Sequence, residues 1–380
     1  MPGHKQPPRP LNVGDVVAAH SPHLGEWTAA QIIHLDADTE SAAVLELDWS
    51  GPEPSSVSDL GDVTPLRRTH HSWGGDLSFC NHDWLLPRSH KVIGTLPPLH
   101  DEPPNSWART WRLGYHLALQ QRWNAGIHDD PAPEWQAEHT ALPGEAMPEI
   151  TELTIRDIDT LDCALLVRRF PNLTWLRLYG RLGLLTHAGE LNTLASLRGI
   201  DIADLFGMTE EDRLRPERVP ELEHVHLYGV QADYALAMQR TWQPEIPAGT
   251  YVSISRPRTR EWAEENRNNP LRDWDGREGI NGATYTIAFA QYTTTRETVL
   301  RVLAKEPPEA RPALLEQIGA DYGEVFNQLD EGAEFIETVE REELYAALDH
   351  IMDEAEAIHG PGLDEARESL IDGLDSARDW

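Results

Sequence analysis

Leu173-Thr174-Trp175-Leu176-Arg177-Leu178 is one copy of a pattern, L-x-x-L-x-L, that organises the middle of this chain. Ile150-x-x-Leu153-x-Ile155 precedes it. Leu197-x-x-Ile200-x-Ile202 and Leu222-x-x-Val225-x-Leu227 follow, and a degenerate fifth copy ends in Val252-x-Ile254. Successive final positions lie 23 to 27 residues apart. Alternation inside each copy is the period of a strand, whereas Leu161–Phe170 and Asp233–Trp242 between copies carry helical spacing. One strand and one helix cannot bury their own apolar faces, so neighbouring units must share a continuous core.

The repeated pattern is the leucine-rich repeat signature. Residues 149–280 also resemble bacterial leucine-rich repeat proteins of the actinobacterial type. Asp204-Leu205-Phe206-Gly207-Met208 and Asn269-Pro270-Leu271-Arg272-Asp273-Trp274-Asp275-Gly276-Arg277-Glu278 carry that likeness. The resemblance implies a fold and a cytoplasmic setting but brings no activity with it. The expected middle of the protein is a solenoid of about five repeats over 149–256. Residues 257–282, with Trp262 and Trp274, would cap its open end.

Outward positions of the repeats supply the first candidate site, on the concave face. Three columns run across the strands: Glu152, Trp175, Gly199, His224 and Tyr251; Thr154, Arg177, Asp201, His226 and Ser253; Arg156, Tyr179, Ala203, Tyr228 and Ser255. Aromatic residues and arginine at exposed positions are the composition of protein-binding hot spots. Trp175, Arg177, Tyr179, Asp201, His224, His226, Tyr228 and Tyr251 are therefore the candidate partner-binding residues. Packing against a flanking domain is the alternative use of the same face.

Residues 1–10 read as a flexible Pro-rich tail. Residues 11–66 hold short strand-like runs at Asp15–Ala19, Trp27–Leu35 and Ala42–Trp49, closed by short pieces between Val57 and Leu66. This stretch resembles a Tudor-like small β-barrel. The likeness rests on Gly14-Asp15-Val16-Val17-Ala18, Gly25-Glu26-Trp27-Thr28-Ala29-Ala30, Asp48-Trp49-Ser50-Gly51 and the close from Asp59-Leu60 to Pro65-Leu66. Tudor-type modules bind methylated side chains in aromatic cages, so the resemblance implies a possible aromatic site at Trp27 and Trp49. Two barrel-core tryptophans are the alternative.

Residues 67–148 form a Trp- and His-rich connecting region, with a helix expected near 106–124 from Trp107, Trp111, Tyr115 and Leu119. His70, His71, Cys80 and His82 come closest to a ligand set but lack paired zinc spacings, so no metal is expected. Residues 283–380 read as an acidic α+β or mainly helical domain. A strand is expected at Ala283–Tyr292 and another at Phe335–Val339, with helices at Thr294–Leu303, Ala310–Leu329, Arg341–Ile358 and Leu363–Ala377. The fold class expected overall is multidomain α/β: a leucine-rich repeat solenoid between a small barrel and this acidic domain.

Composition narrows the function classes. Hydrophobic residues at 40% and charged residues at 25% exclude wholesale disorder. The formal charge of −32 argues against binding a phosphate backbone. Nineteen acidic residues against three arginines in 321–380 concentrate that charge at the C-terminal end. Two cysteines exclude a disulfide framework, and a reducing cytoplasm is the expected compartment. No apolar run is long enough to cross a membrane, and no signal-peptide h-region is present.

No phosphate-cradling, dinucleotide, nucleophile-elbow or zinc-protease motif occurs, and no cofactor or catalytic residue is assigned. The expected function is a non-enzymatic adaptor or scaffold binding an unknown protein partner. An enzyme with a site in 258–280 or the C-terminal domain is the alternative, its carboxylates being Asp273, Asp275 and Glu278. A third reading is an acidic decoy or immunity-type protein that binds a basic partner.

Overall fold

The computed structural model describes residues 10–129 and 132–380. The expected tail at 1–10 lies outside these residues except for Pro10. The chain divides into two compact units, one running to Arg260 and the other from Glu261 to Trp380.

The first unit opens with β1 (Asp15–Ser21), β2 (Glu26–Asp36) and β3 (Ser41–Gly51), joined as antiparallel neighbours. A two-residue pair follows, β4 (Arg67–Arg68) with β5 (Asp76–Leu77). Then β6 (Phe79–Asp83) adds to β3 and β7 (Lys91–Thr95) adds to β1, giving the order β6-β3-β2-β1-β7. Both faces of this sheet are covered. Val17, Ala30, Ile32 and Val44 pack with Trp111 and Leu113 on one side; Val16, Ala18, Ala29 and Leu47 pack with Leu60 and Ile93 on the other. Double-sided burial explains why these strands are almost continuously apolar rather than alternating.

The sheet is followed by α1 (Tyr115–Asn124) and β8 (Gln136–His139). Next come β9 (Glu152–Asp162), α2 (Cys163–Arg169), β10 (Trp175–Thr186), β11 (Gly199–Phe206), β12 (His224–Tyr228), α3 (Ala232–Trp242) and β13 (Tyr251–Ser255). Strands β8 to β13 form one six-stranded parallel sheet in strict chain order. Leu153, Leu176, Ile200, Val225 and Val252 fall in register, as do Ile155, Leu178, Ile202, Leu227 and Ile254. Behind them Leu166 of α2 and Tyr234, Met238 and Trp242 of α3 complete a buried core. The Asp162 carboxylate caps α2 by accepting from the Ala164 N–H at 2.9 Å.

The second unit contains α4 (Arg260–Asn266), α5 (Gly282–Lys305), α6 (Arg311–Asp330), α7 (Thr338–His359) and α8 (Asp364–Ala377). Its core gathers Trp274, Tyr292, Val299, Tyr322, Phe326 and Leu348. Asn281 starts α5 by accepting from the N–H groups of Ala283 and Thr284, both at 3.0 Å.

These elements correct the expected fold class. The observed architecture is a five-stranded antiparallel sheet, a six-stranded parallel sheet and a set of C-terminal helices. It is not the expected leucine-rich repeat solenoid flanked by a small β-barrel, and the stretch expected as an acidic α+β or mainly helical domain is a set of helices. The N-terminal sheet has open edges at β6 and β7, both drawn from beyond residue 66. The parallel sheet begins one strand early, at β8, which has no leucine pattern, and its connections mix α-helix with short 3-10 turns.

Residues 257–282, expected as a cap, run from the end of the first unit into the second. Trp274 is fully buried in the helical unit and donates from Nε1 to Glu343 at 2.7 Å. Neither C-terminal strand forms: 283–292 is the first half of α5, and 335–337 is irregular before α7. The helix expected from residue 106 starts only at Tyr115. Gly114 there adopts φ 88° and donates its N–H to Glu46 at 2.8 Å, turning the chain before the helix can begin.

Candidate functional site

Register places the predicted columns side by side on the parallel sheet: Trp175, Gly199, His224 and Tyr251; Arg177, Asp201, His226 and Ser253; Tyr179, Ala203, Tyr228 and Ser255. The three columns have different fates.

The first column is covered by the chain itself. The Trp175 indole lies across Gly199, where a Cβ would stand 2.5 Å from the ring. That missing side chain brings Trp175 to 5.2 Å from the His224 ring, and His224 stacks on Tyr251 at 5.0 Å. Arg112, from the segment before α1, sits 4.8 Å above Trp175 and donates to Glu152 at 2.6 Å. Arg177 lies over the same indole at 5.3 Å. Burial holds His224 down at about 4, so its ring is neutral. Nearby, Arg88 pairs with Glu245 and the Ser89 N–H and hydroxyl both donate to Glu223.

The second column centres on Asp201. Tyr179 donates its hydroxyl to one carboxylate oxygen at 3.0 Å, and His226 Nδ1 meets the other at 2.7 Å. Burial would raise the Asp201 carboxyl, but the His226 and Tyr179 hydrogen bonds outweigh it and hold the group below its ordinary value. Burial, with the Asp201 charge beside it, pushes the Tyr179 phenol up to about 12.

The third column stays half-buried, with Tyr179 and Tyr228 on either side of Ala203. Two strand spacings separate the tyrosines, about 9.5 Å between backbones. Alanine between them leaves a short side chain flanked by two tyrosines, next to the Asp201–His226 pair. Arg156 lies 5.1 Å over Tyr179 and Arg256 5.4 Å over Tyr228. Immediately beyond this column the backbone turns left-handed on four strands, at Asp157, Asp204, Gly229 and Arg256. Three of those residues carry a side chain, and each such position costs on the order of 1 kcal/mol.

Trp27 and Trp49 are partly buried against the Val16–Leu47 side of the antiparallel sheet. Lys91 of the same chain lies 4.6 Å over the Trp27 ring and donates to Glu53 at 2.7 Å. Near Asp273, Asp275 and Glu278, Arg277 pairs with Glu340 and Glu343, and Asp275 accepts from Trp262 Nε1 at 2.8 Å. Of the histidines near Cys80, His70 and His71 stay together, their Nδ1 atoms 3.0 Å apart. His70 stacks on His116, and His82 lies against Trp111. Among the described residues no group of three His, Cys, Asp or Glu side chains is placed to hold a metal ion. No helix among them is long and apolar enough to cross a membrane.

No protein-family model matches the chain, and neither a curated protein nor a solved structure matches it.

Sequence reasoning missed one feature of the first unit. An open cavity of about 890 Å³ is lined by residues from His23 to Gln136, with Glu46 and Arg68 on its wall. Most of it comes from the connecting region whose pattern is hardest to read. Three of the twelve histidines before residue 140, His23, His82 and His116, line it.

Proposed function

We propose that this chain is a non-enzymatic protein-binding adaptor, and that its partner inserts a side chain between Tyr179 and Tyr228. The observation that carries the reading is that Tyr179 and Tyr228 flank the small Ala203 beside the paired Asp201 and His226. Tyrosine and arginine offer large contact area at modest entropic cost, and they dominate measured binding hot spots. The Asp201 network holds Tyr179 in place before a partner arrives, which lowers the cost of ordering it. Left-handed backbone concentrated just beyond this column is the kind of strain that collects at functional surfaces. The first column, already covered by Arg112, serves as support for this surface.

The test uses two variants with opposite steric effects. Tyr179→Ala/Tyr228→Ala removes both rings, and Ala203→Leu enlarges the side chain between them. Both are checked for folding by circular dichroism and used beside the wild type in affinity capture from the native host lysate. Two hot-spot truncations at about 2 kcal/mol each weaken binding by well over tenfold. A protein retained by the wild type and lost from both variants is the expected result. Equal recovery by all three would remove the Tyr179–Tyr228 pair from the account.

A further inference from the structure

The cavity in the first unit has a built interior, independent of the sheet face. At about 890 Å³ it falls near the upper end of the range for small-molecule sites, roughly 300–1,000 Å³. One wall is a run of aromatic rings. Trp135 meets His23 at 5.2 Å, His23 meets Tyr115 at 5.0 Å, and Tyr115 meets His116 at 5.3 Å. Phe79, Leu113 and Leu119 add apolar surface to the lining.

The polar end is formed by Glu46, Arg68 and His116. Glu46 is a buried carboxylate whose two oxygens are both engaged: Ser78 Oγ donates at 2.7 Å and the Gly114 N–H at 2.8 Å. It is therefore structural and offers a ligand little. Arg68 donates from Nη2 to the Leu77 carbonyl at 2.8 Å and lies 3.5 Å over the Trp73 ring. Its Nε, and Nδ1 of His116, are buried with no hydrogen-bond partner. Two buried polar atoms without a partner, on residues lining one cavity, are costly unless something arrives to meet them.

Charge decides what that something is. The Glu46 and Asp76 carboxyls lie near enough to act on the Arg68 charge and partly offset it, and its buried Nε is the donor left open. Arg112 is neutralised by Glu152, and Arg122 shares the lining with Glu134. Burial and the Arg68 charge hold His116 at about 4, so its imidazole is neutral and cannot attract an anion. Burial raises the Cys80 thiol, which keeps it protonated and a poor nucleophile. The interior is thus shaped for reversible binding of something flat and uncharged.

We propose that this cavity binds a planar, uncharged aromatic or heteroaromatic small molecule, its ring against the Trp135–Tyr115 wall and its carbonyl or ring-nitrogen end toward Arg68 and His116. Isothermal titration calorimetry on the full chain with coumarin, 4-quinolone and flavone tests the class, with coumarin-3-carboxylate as the anionic counterpart. Ala118→Leu, on the cavity side of α1, fills the space without touching the Glu46–Arg68 group. His116→Phe keeps the ring and removes the orphaned nitrogen.

Saturable one-to-one binding by at least one neutral compound is expected. It should weaken at least tenfold in Ala118→Leu and about fivefold in His116→Phe, with both variants folded by circular dichroism. Coumarin-3-carboxylate should bind more weakly than coumarin. No saturable binding by any of the three neutral compounds would overturn the site, as would binding that Ala118→Leu leaves unchanged. Tighter binding of the carboxylate would overturn the uncharged class.

Discussion

Four histidines of the first unit are held neutral by burial: His82, His116 and His224 at about 4, and His90 at about 3. In the unfolded chain each returns to about 6.5. Between those values the unfolded state binds more protons than the native one, so stability rises with pH and is lost as pH falls from about 6.5 toward 4. Each fully buried histidine contributes a slope of up to about 1.4 kcal/mol per pH unit, and half-buried His116 contributes less. Urea unfolding of the full chain at pH 7 and pH 5 should show the midpoint of the first unit dropping at the lower pH. An unchanged midpoint would mean that these rings are protonated in the folded state. The sequence showed which residues share a column, because alternation along a strand fixes facing. It gave no hint that Arg112 would settle over Trp175, since nothing local ties a side chain to a partner some sixty residues away.

Close packing of helices supplies the test at the scale of elements. A Cβ on Gly373 of α8 would lie 1.9 Å from the Glu316 carbonyl oxygen of α6, and one on Gly319 would lie 2.0 Å from that of Leu370. Alanine improves intrinsic helix propensity by up to about 1 kcal/mol over glycine. Here the obstacle is backbone, which cannot retreat as a side chain would, and overpacking costs about 1–3 kcal/mol. Gly373→Ala should therefore lower the melting temperature of the helical unit. A rise would show that the two helices separate easily.

Legibility varied by element for physical reasons. The strand expected at 283–292 arose from the alternation of Tyr285, Ile287 and Phe289 among β-prone threonines. The helical rhythm of Ala288, Tyr292, Thr295, Val299 and Val302, all buried, is what the fold obeys. Strand β8 escaped notice because Gln136-Ala137-Glu138-His139 has no apolar repeat; it forms through pairing with β9.

For the whole molecule, charge and core are distributed differently. Each unit has a hydrophobic core of its own, and the second gathers its residues from Leu271 to Leu374. Residues 261–380 expressed alone should fold to a helical, cooperatively melting protein. Its excess of carboxylates makes that unit self-repelling at low salt. Adding sodium chloride to ~0.5 M, where the Debye length is roughly 4 Å, should raise its melting temperature. A fall would mean that the ion pairs from Arg277, Arg296 and Arg367 outweigh the repulsion.

The order of the parallel sheet has a mechanical consequence. Every strand from β8 to β13 is hydrogen-bonded only to its neighbours in the chain. No strand is clamped between two distant segments, as it would be where a sheet's order is shuffled. A pull on the chain beyond β13 would therefore load the ladder one rung at a time, and the sheet would peel from its last strand inward. Released, it could rewind from whichever strands remained, with no partner to search for beyond the next stretch of chain.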